Sequence, residues 1–212
     1  MMKIQSSDLQ HGASIATRFA FGKPDGQGGI QFSDNISPAL AWSEAPAATR
    51  SFAVLCVDPD VPADASDVNV EGRVIPLDAP RTDFYHWVLI DLPPGVNELP
   101  PGAGGSGVTS GGKKQKAGPH GGRQGLNDYT RFMAGSDMAG DYYGYDGPCP
   151  PCNDLRMHHY TFQVYALDID RLPLAAGFTG HDVQRALQGH VLASAALTGL
   201  YTLNRQLLAG RN

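Results

Sequence analysis

Between Ser51 and Val57 the chain reads SFAVLCV, a short apolar run bounded on both sides by turn-forming residues. A run of that length reads as a buried strand more readily than as a helix. A second follows at Phe84 to Leu92 (FYHWVLIDL), where period two places His86, Val88 and Ile90 on one face and Tyr85, Trp87 and Leu89 on the other. A third, HHYTFQVYALD, starts at His158 and puts His158, Tyr160, Phe162 and Val164 on one face. These runs commit the chain to a sheet-based core.

The rest of the chain serves those strands. The 26 glycines and 16 prolines in 212 residues imply many turns and long loops rather than a helical bundle. The length suits a single domain over 1–212. Residues 1–35 read as short edge strands and turns, and 63–82 as a charged, irregular excursion. The stretch at about 102–125, rich in glycine, serine and lysine, reads as a flexible surface loop. Near the C-terminus, Thr179 with Asp182 three residues on suggests a helix cap. Val183, Ala186, Leu187, His190 and Val191 recur behind it at helical spacing, with His190 a packed residue. The expected fold is therefore mainly β with peripheral helices.

Charge and composition narrow the function. A net charge of −5 gives no global attraction to nucleic acid, so any anion must be held by a local site. The absence of a long apolar run argues against an integral membrane segment or a signal peptide, and three cysteines suit a reducing compartment; the expected location is cytoplasmic.

Three strand ends carry polar groups that packing does not require: Asp58 with Asp60, His86, and His158 with Tyr160. Proline after each aspartate favours extended backbone, which would turn both carboxylates toward one place. Carboxylates beside histidines raise the imidazole pKa, and a protonated imidazole can hold phosphate or carboxylate. The same groups could cap strand ends or be solvated. Cys149 and Cys152 have the spacing of a zinc or redox pair, with His158 near. Adjacent strand residues such as His158 and His159 point to opposite faces, however, and two prolines separate the thiols, so no metal and no cofactor is expected. GVTSGGKK at 107–114 imitates a phosphate loop but has Lys114 where serine or threonine should bind magnesium. The proline-laden sequence also makes a cis proline a candidate feature.

DPDVP at 58–62, FYHW at 84–87, GLNDY at 125–129, YDGPCPP at 145–151 and HHYTFQVYALD at 158–168 together resemble the phosphatidylethanolamine-binding protein family, in its bacterial YbhB/YbcL (Raf kinase inhibitor-like) branch. The likeness runs from about Ser37 to Tyr201. It implies a large antiparallel sheet packed on a smaller one, a few peripheral helices, and a small anion pocket at one end. Carried over, the pocket residues are Asp58, Asp60, His86, Gly147, Pro148, His158 and Tyr160. The resemblance implies a small anionic ligand (phosphate, phosphoryl or carboxylate head group), a possible regulatory role through an unknown protein partner, and a possible homodimer. A hydrolase using an aspartate and a histidine as acid and base is the alternative. The sequence departs from the family pattern at CNDLRM after Pro151, at His159, where arginine is common, and in the long lysine-bearing loop at 105–124.

Overall fold

The structure, a computed structural model, describes residues 1–27 and 29–209. Its elements are β1 (Lys3–Gln5), β2 (Gly22–Pro24), β3 (Ile30–Phe32), β4 (Leu40–Ser43), β5 (Ser51–Pro62), β6 (Arg81–Leu92), β7 (Glu98–Leu99), β8 (Arg123–Gln124), α1 (Tyr129–Phe132), β9 (His158–Leu167), α2 (Gly180–Ala186), β10 (Val191–Tyr201) and α3 (Arg205–Ala209). The long strands form an antiparallel sheet in the order β10-β9-β5-β6-β8, accompanied by a smaller β1-β4-β7 sheet and the β2-β3 hairpin.

The apolar run of β5 sits at the centre because both of its faces are covered. Phe52, Val54 and Cys56 pack with Leu40, Trp42 and Leu99 of the small sheet, and with Phe162 and Val164 of β9. Ala53 and Leu55 pack on the other side with Val183 and Leu187 of the α2 segment. Burying a side chain of this size contributes about 1.5–3 kcal/mol, so the two apolar layers dominate the fold's stability. The mainly β fold is what the strand pattern predicts, and the pairing of a large with a smaller sheet is what the family resemblance implies.

Two expectations about the strands fail, for one reason each. Along β6, Cys56 faces Trp87 but Val57 faces Tyr85, so His86 is an extra residue in the ladder. This bulge breaks the period of two: Tyr85 joins Val88 and Ile90 on the α2 side, while His86 turns to the opposite face. The helix predicted to run from Thr179 past Val191 ends at Ala186. Its cap is as expected, with Thr179 and Asp182 bonded reciprocally. Gly189, at φ +82°, lies just beyond the helix end and suits the left-handed turn that stops it, and Val191–Tyr201 is a strand paired along β9. Leu197 and Tyr201 point inward there, with half-buried Leu200 between them. His190 bonds Asp168 at 2.8 Å. Every peptide bond among the described residues is trans, the lower-energy form even before proline, so the cis proline candidate falls.

Candidate functional site

At one end of the large sheet, beside the bulge, a cavity of about 370 Å³ opens between β5, β6, β9, α1 and the proline-rich loop. Its inner wall is made by Asp58, Phe84, His86, Tyr129, Cys149 and Tyr160, and its mouth by Val61, Phe132, Met133, Pro150 and Pro151. Bulges are a common way to re-aim one side chain beside a site. Here the Asp128 carboxylate accepts from Tyr85 N at 2.7 Å, and Asp128 N donates to Tyr85 O at 2.9 Å. The loop before α1 therefore takes over backbone bonds at the bulge and brings Tyr129 against His86, with ring centroids 5.6 Å apart.

His86 is held from behind. Its Nδ1 lies 2.7 Å from the Asp146 carbonyl oxygen, and Asp146 N donates to His86 O at 3.0 Å. A carbonyl only accepts, so Nδ1 carries the proton and Nε2 of the neutral ring is a lone pair. That Nε2 is one of three buried side-chain atoms without a hydrogen-bond partner among the described residues, with Trp42 Nε1 and Arg156 Nε. Burial holds the His86 pKa below its usual value against the opposing pull of Asp58, Asp146 and Asp128.

Asp146, in turn, is buried and fully occupied: its carboxylate accepts from Asn35 Nδ2 at 2.7 Å, from Asn127 Nδ2 at 2.9 Å and from Lys113. Lys113 belongs to the stretch expected to be a flexible, solvated loop. It is instead an anchor, and Lys114 likewise bonds the backbone oxygens of Gly111 and Asp141, so the imitation phosphate loop spends both ammonium groups on the protein itself. Gly147 and Pro148 stand one step behind the cavity. Gly147 N donates to Asn35 Oδ1 at 2.8 Å, its oxygen accepts from the Tyr129 hydroxyl at 2.9 Å, and a Cβ there would lie 2.1 Å from Phe19 O. Only glycine fits, and the turn thereby sets the height of the Asp146 carbonyl. Pro148 O accepts from Phe21 N at 2.9 Å.

The other predicted residues divide. Tyr160 lines the cavity, its ring 5.1 Å from His86, and its phenol pKa is pushed well up, chiefly by burial and then by the nearby Asp58 carboxylate. Asp58 lines it too, but its Oδ2 accepts from His158 Nδ1 at 2.7 Å and its Oδ1 from Asp60 N at 2.8 Å. His158 does not reach the cavity: its side chain is fully buried, and its Nε2 is 3.1 Å from Asp154 Oδ2. Burial opposes its charge, yet Asp154 and Asp58 outweigh that and raise its pKa to about 9. Asp154, despite its own burial, is held down to about 2 by His158 and Arg81. Asp60 also leaves the site. β5 carries an extra residue between Asp58 and Val61, so the two carboxylates diverge and Asp60 pairs with His159 (2.8 Å) and Arg156 (3.2 Å). The expectation that both aspartates face one place holds only for a regular strand. Tyr129, Phe84, Asp146, Asp154, Arg81 and Lys113 were not picked out individually by sequence reasoning, although GLNDY and YDGP contain two of them.

The cysteine pair is also divided. All three cysteines are free; Cys149 lines this cavity and Cys152 a second one of about 300 Å³ beside Asn153 and Leu203. Burial, with Cys152 nearby, pushes the Cys149 thiol up to about 12.

Residues 5–202 match the phosphatidylethanolamine-binding protein family. The chain belongs to that family. Among its relatives are the UPF0098 protein YbhB of Escherichia coli (strain K12), 34% identical with 95% of this chain and 100% of that protein covered, and the UPF0098 protein YbcL of the same strain, 30% identical with 95% and 87% covered. The crystal structure of E. coli YbcL, described as a new member of the mammalian PEBP family, superposes with a TM-score of 0.67 over 95% of this chain and 98% of that one. A putative family homologue from Chlamydia trachomatis matches at 26% identity and a TM-score of 0.62, covering 94% and 96%. The cavity thus lies beside the motifs on which the resemblance to the family rests.

Proposed function

We propose that the cavity binds a small anionic head group, phosphoryl or carboxylate, and that the protein acts as a binding module of regulatory character rather than as a hydrolase. The observation that carries this reading is the buried Nε2 of His86, which faces a cavity and has no hydrogen-bond partner among the described residues, whereas most buried polar atoms of a native interior have one. A ligand oxygen placed there would share a proton with Nε2 and lie within the Tyr160 and Asp58 cluster. The apolar mouth at Val61, Phe132 and Met133 offers a surface for a substituent on that head group, and the volume exceeds what a bare phosphate fills. A hydrolase would need an activated nucleophile beside Asp58 and His86; the Cys149 thiol is held in its protonated form, the opposite of activation. Free thiols and the absence of a helix long and apolar enough to cross a membrane among the described residues accompany a cytoplasmic placement. A homodimer belongs to the same reading.

Titration calorimetry at pH 6 with phosphate, phosphoethanolamine and acetate tests it. Wild type should bind at least one of them, and His86→Phe should lose about 100-fold in affinity, as expected for removing a buried hydrogen bond to a charged group. Silence from folded wild type with all three ligands sinks the proposal.

A further inference from the structure

The polar face that His86 and Asp58 present is made of acceptors. The imidazole offers a lone pair, because the Asp146 carbonyl fixes the proton on Nδ1, and Asp58 offers carboxylate oxygens already fed by His158 and Asp60 N. An anion with no proton of its own would meet like with like. We infer that the cavity takes the protonated member of an acid pair, such as a phosphomonoester monoanion, and that binding a dianion from solution draws one proton into the complex; this rests on the head-group reading above.

The proton lies between the ligand oxygen and Nε2, counted once whether written P–O–H···N or P–O⁻···H–N. The complex holds one proton more than neutral His86 plus the dianion. The charged and titratable groups around His86 support this count. Asp58 faces it from β5, Tyr160 from β9, Asp128 and Tyr129 from the α1 segment, and Asp146 and Cys149 from the proline-rich loop. Lys113 is engaged by Asp146, and Arg131 lies on the cavity wall. The three carboxylates favour a proton arriving at Nε2; the positive charges of His158 and Lys113 are spent on Asp58 and Asp146, and the protonated Cys149 and Tyr160 groups add none. Burial keeps that proton off the empty site, so it enters with the ligand.

Calorimetry with phosphoethanolamine at pH 7.5, in two buffers of different ionisation enthalpy, reads the proton directly. The second phosphoryl pKa of such esters is about 6, so uptake should be about one proton per site at pH 7.5 and much less at pH 5.5. Affinity should fall about tenfold per pH unit above 7. The sulfate monoester of ethanolamine, equal in shape to phosphoethanolamine but without an acidic proton at these pH values, should bind at least tenfold more weakly at pH 7.5. Nitrogen NMR of His86 gives a readout independent of any variant: Nε2 should move from the signal of a free lone pair toward that of a hydrogen-bonded or protonated nitrogen on saturation. Binding with equal heats in both buffers, or the sulfate ester matching the phosphoester at pH 7.5, overturns the inference and leaves the head-group site standing. No binding at either pH removes both.

Discussion

Two histidines of the same sheet, His158 on β9 and His86 on β6 with β5 between them, are buried to nearly the same degree, at 0% and 3% exposure, and behave oppositely. His158 has an acidic partner at each ring nitrogen and is held charged; His86 has a carbonyl at one nitrogen and nothing at the other, and is held neutral. Burial acts on both in the same direction. The difference therefore lies in the partners: a closed ion network uses up both nitrogens of one histidine, and an open valence leaves one nitrogen of the other available to a ligand.

The sharpest way to break the contrast is to open the closed side. Asp154→Ala leaves His158 and Arg81 short of their shared carboxylate, and losing one partner of a buried ionic network costs about 3–5 kcal/mol, to be read by urea denaturation. Titration of stability comes next, because the two histidines impose opposite slopes. His158 has a raised pKa, so its contribution is complete below about 6.5 and is lost as pH climbs through about 9, a fall of roughly 3 kcal/mol. His86 has a depressed pKa, so stability falls on the acid side as pH drops below about 6.5, where the unfolded chain takes up a proton that the folded chain refuses. Asp154→Asn should flatten the alkaline slope and spare the acid one. Lys113→Met should cost less, about 1–3 kcal/mol, by leaving the Asp146 carboxylate short of a donor, and should weaken head-group binding through the loosened His86 carbonyl contact. Smallest is His159→Ala: its ion pair with Asp60 is half exposed and Arg156 remains, so the change should stay within about 1 kcal/mol with binding intact.

The same contrast explains what the sequence discloses. β5, β6 and β9 are legible because apolar runs bounded by turns have few alternatives, and His86 and Tyr160 stand out as polar residues in such runs. His158 stands out equally, and its role is misread, because the carboxylate that closes its second nitrogen lies in the CNDLRM segment, where the family pattern gives no guide. Arg81 and Lys113 are invisible for a related reason: they meet their partners across 73 and 33 residues, distances at which local spacing carries no information. β10 escapes because its small residues imitate a helix continuing from α2, although Gly189 marks the stop. The bulges at His86 and after Asp58 are one-residue shifts of register, and they decide which polar group meets the cavity without leaving a signature in composition or period.

That extra residue in β6 is an insertion that the ladder itself does not need. With Trp87 already opposite Cys56 and Tyr85 already opposite Val57, deleting His86 would close the ladder while every other residue of β6 keeps its partner and its face. The shortened strand would be the more regular one, and what it would lose is the imidazole on the cavity wall. In this fold the irregularity of a strand is what gives the cavity its histidine.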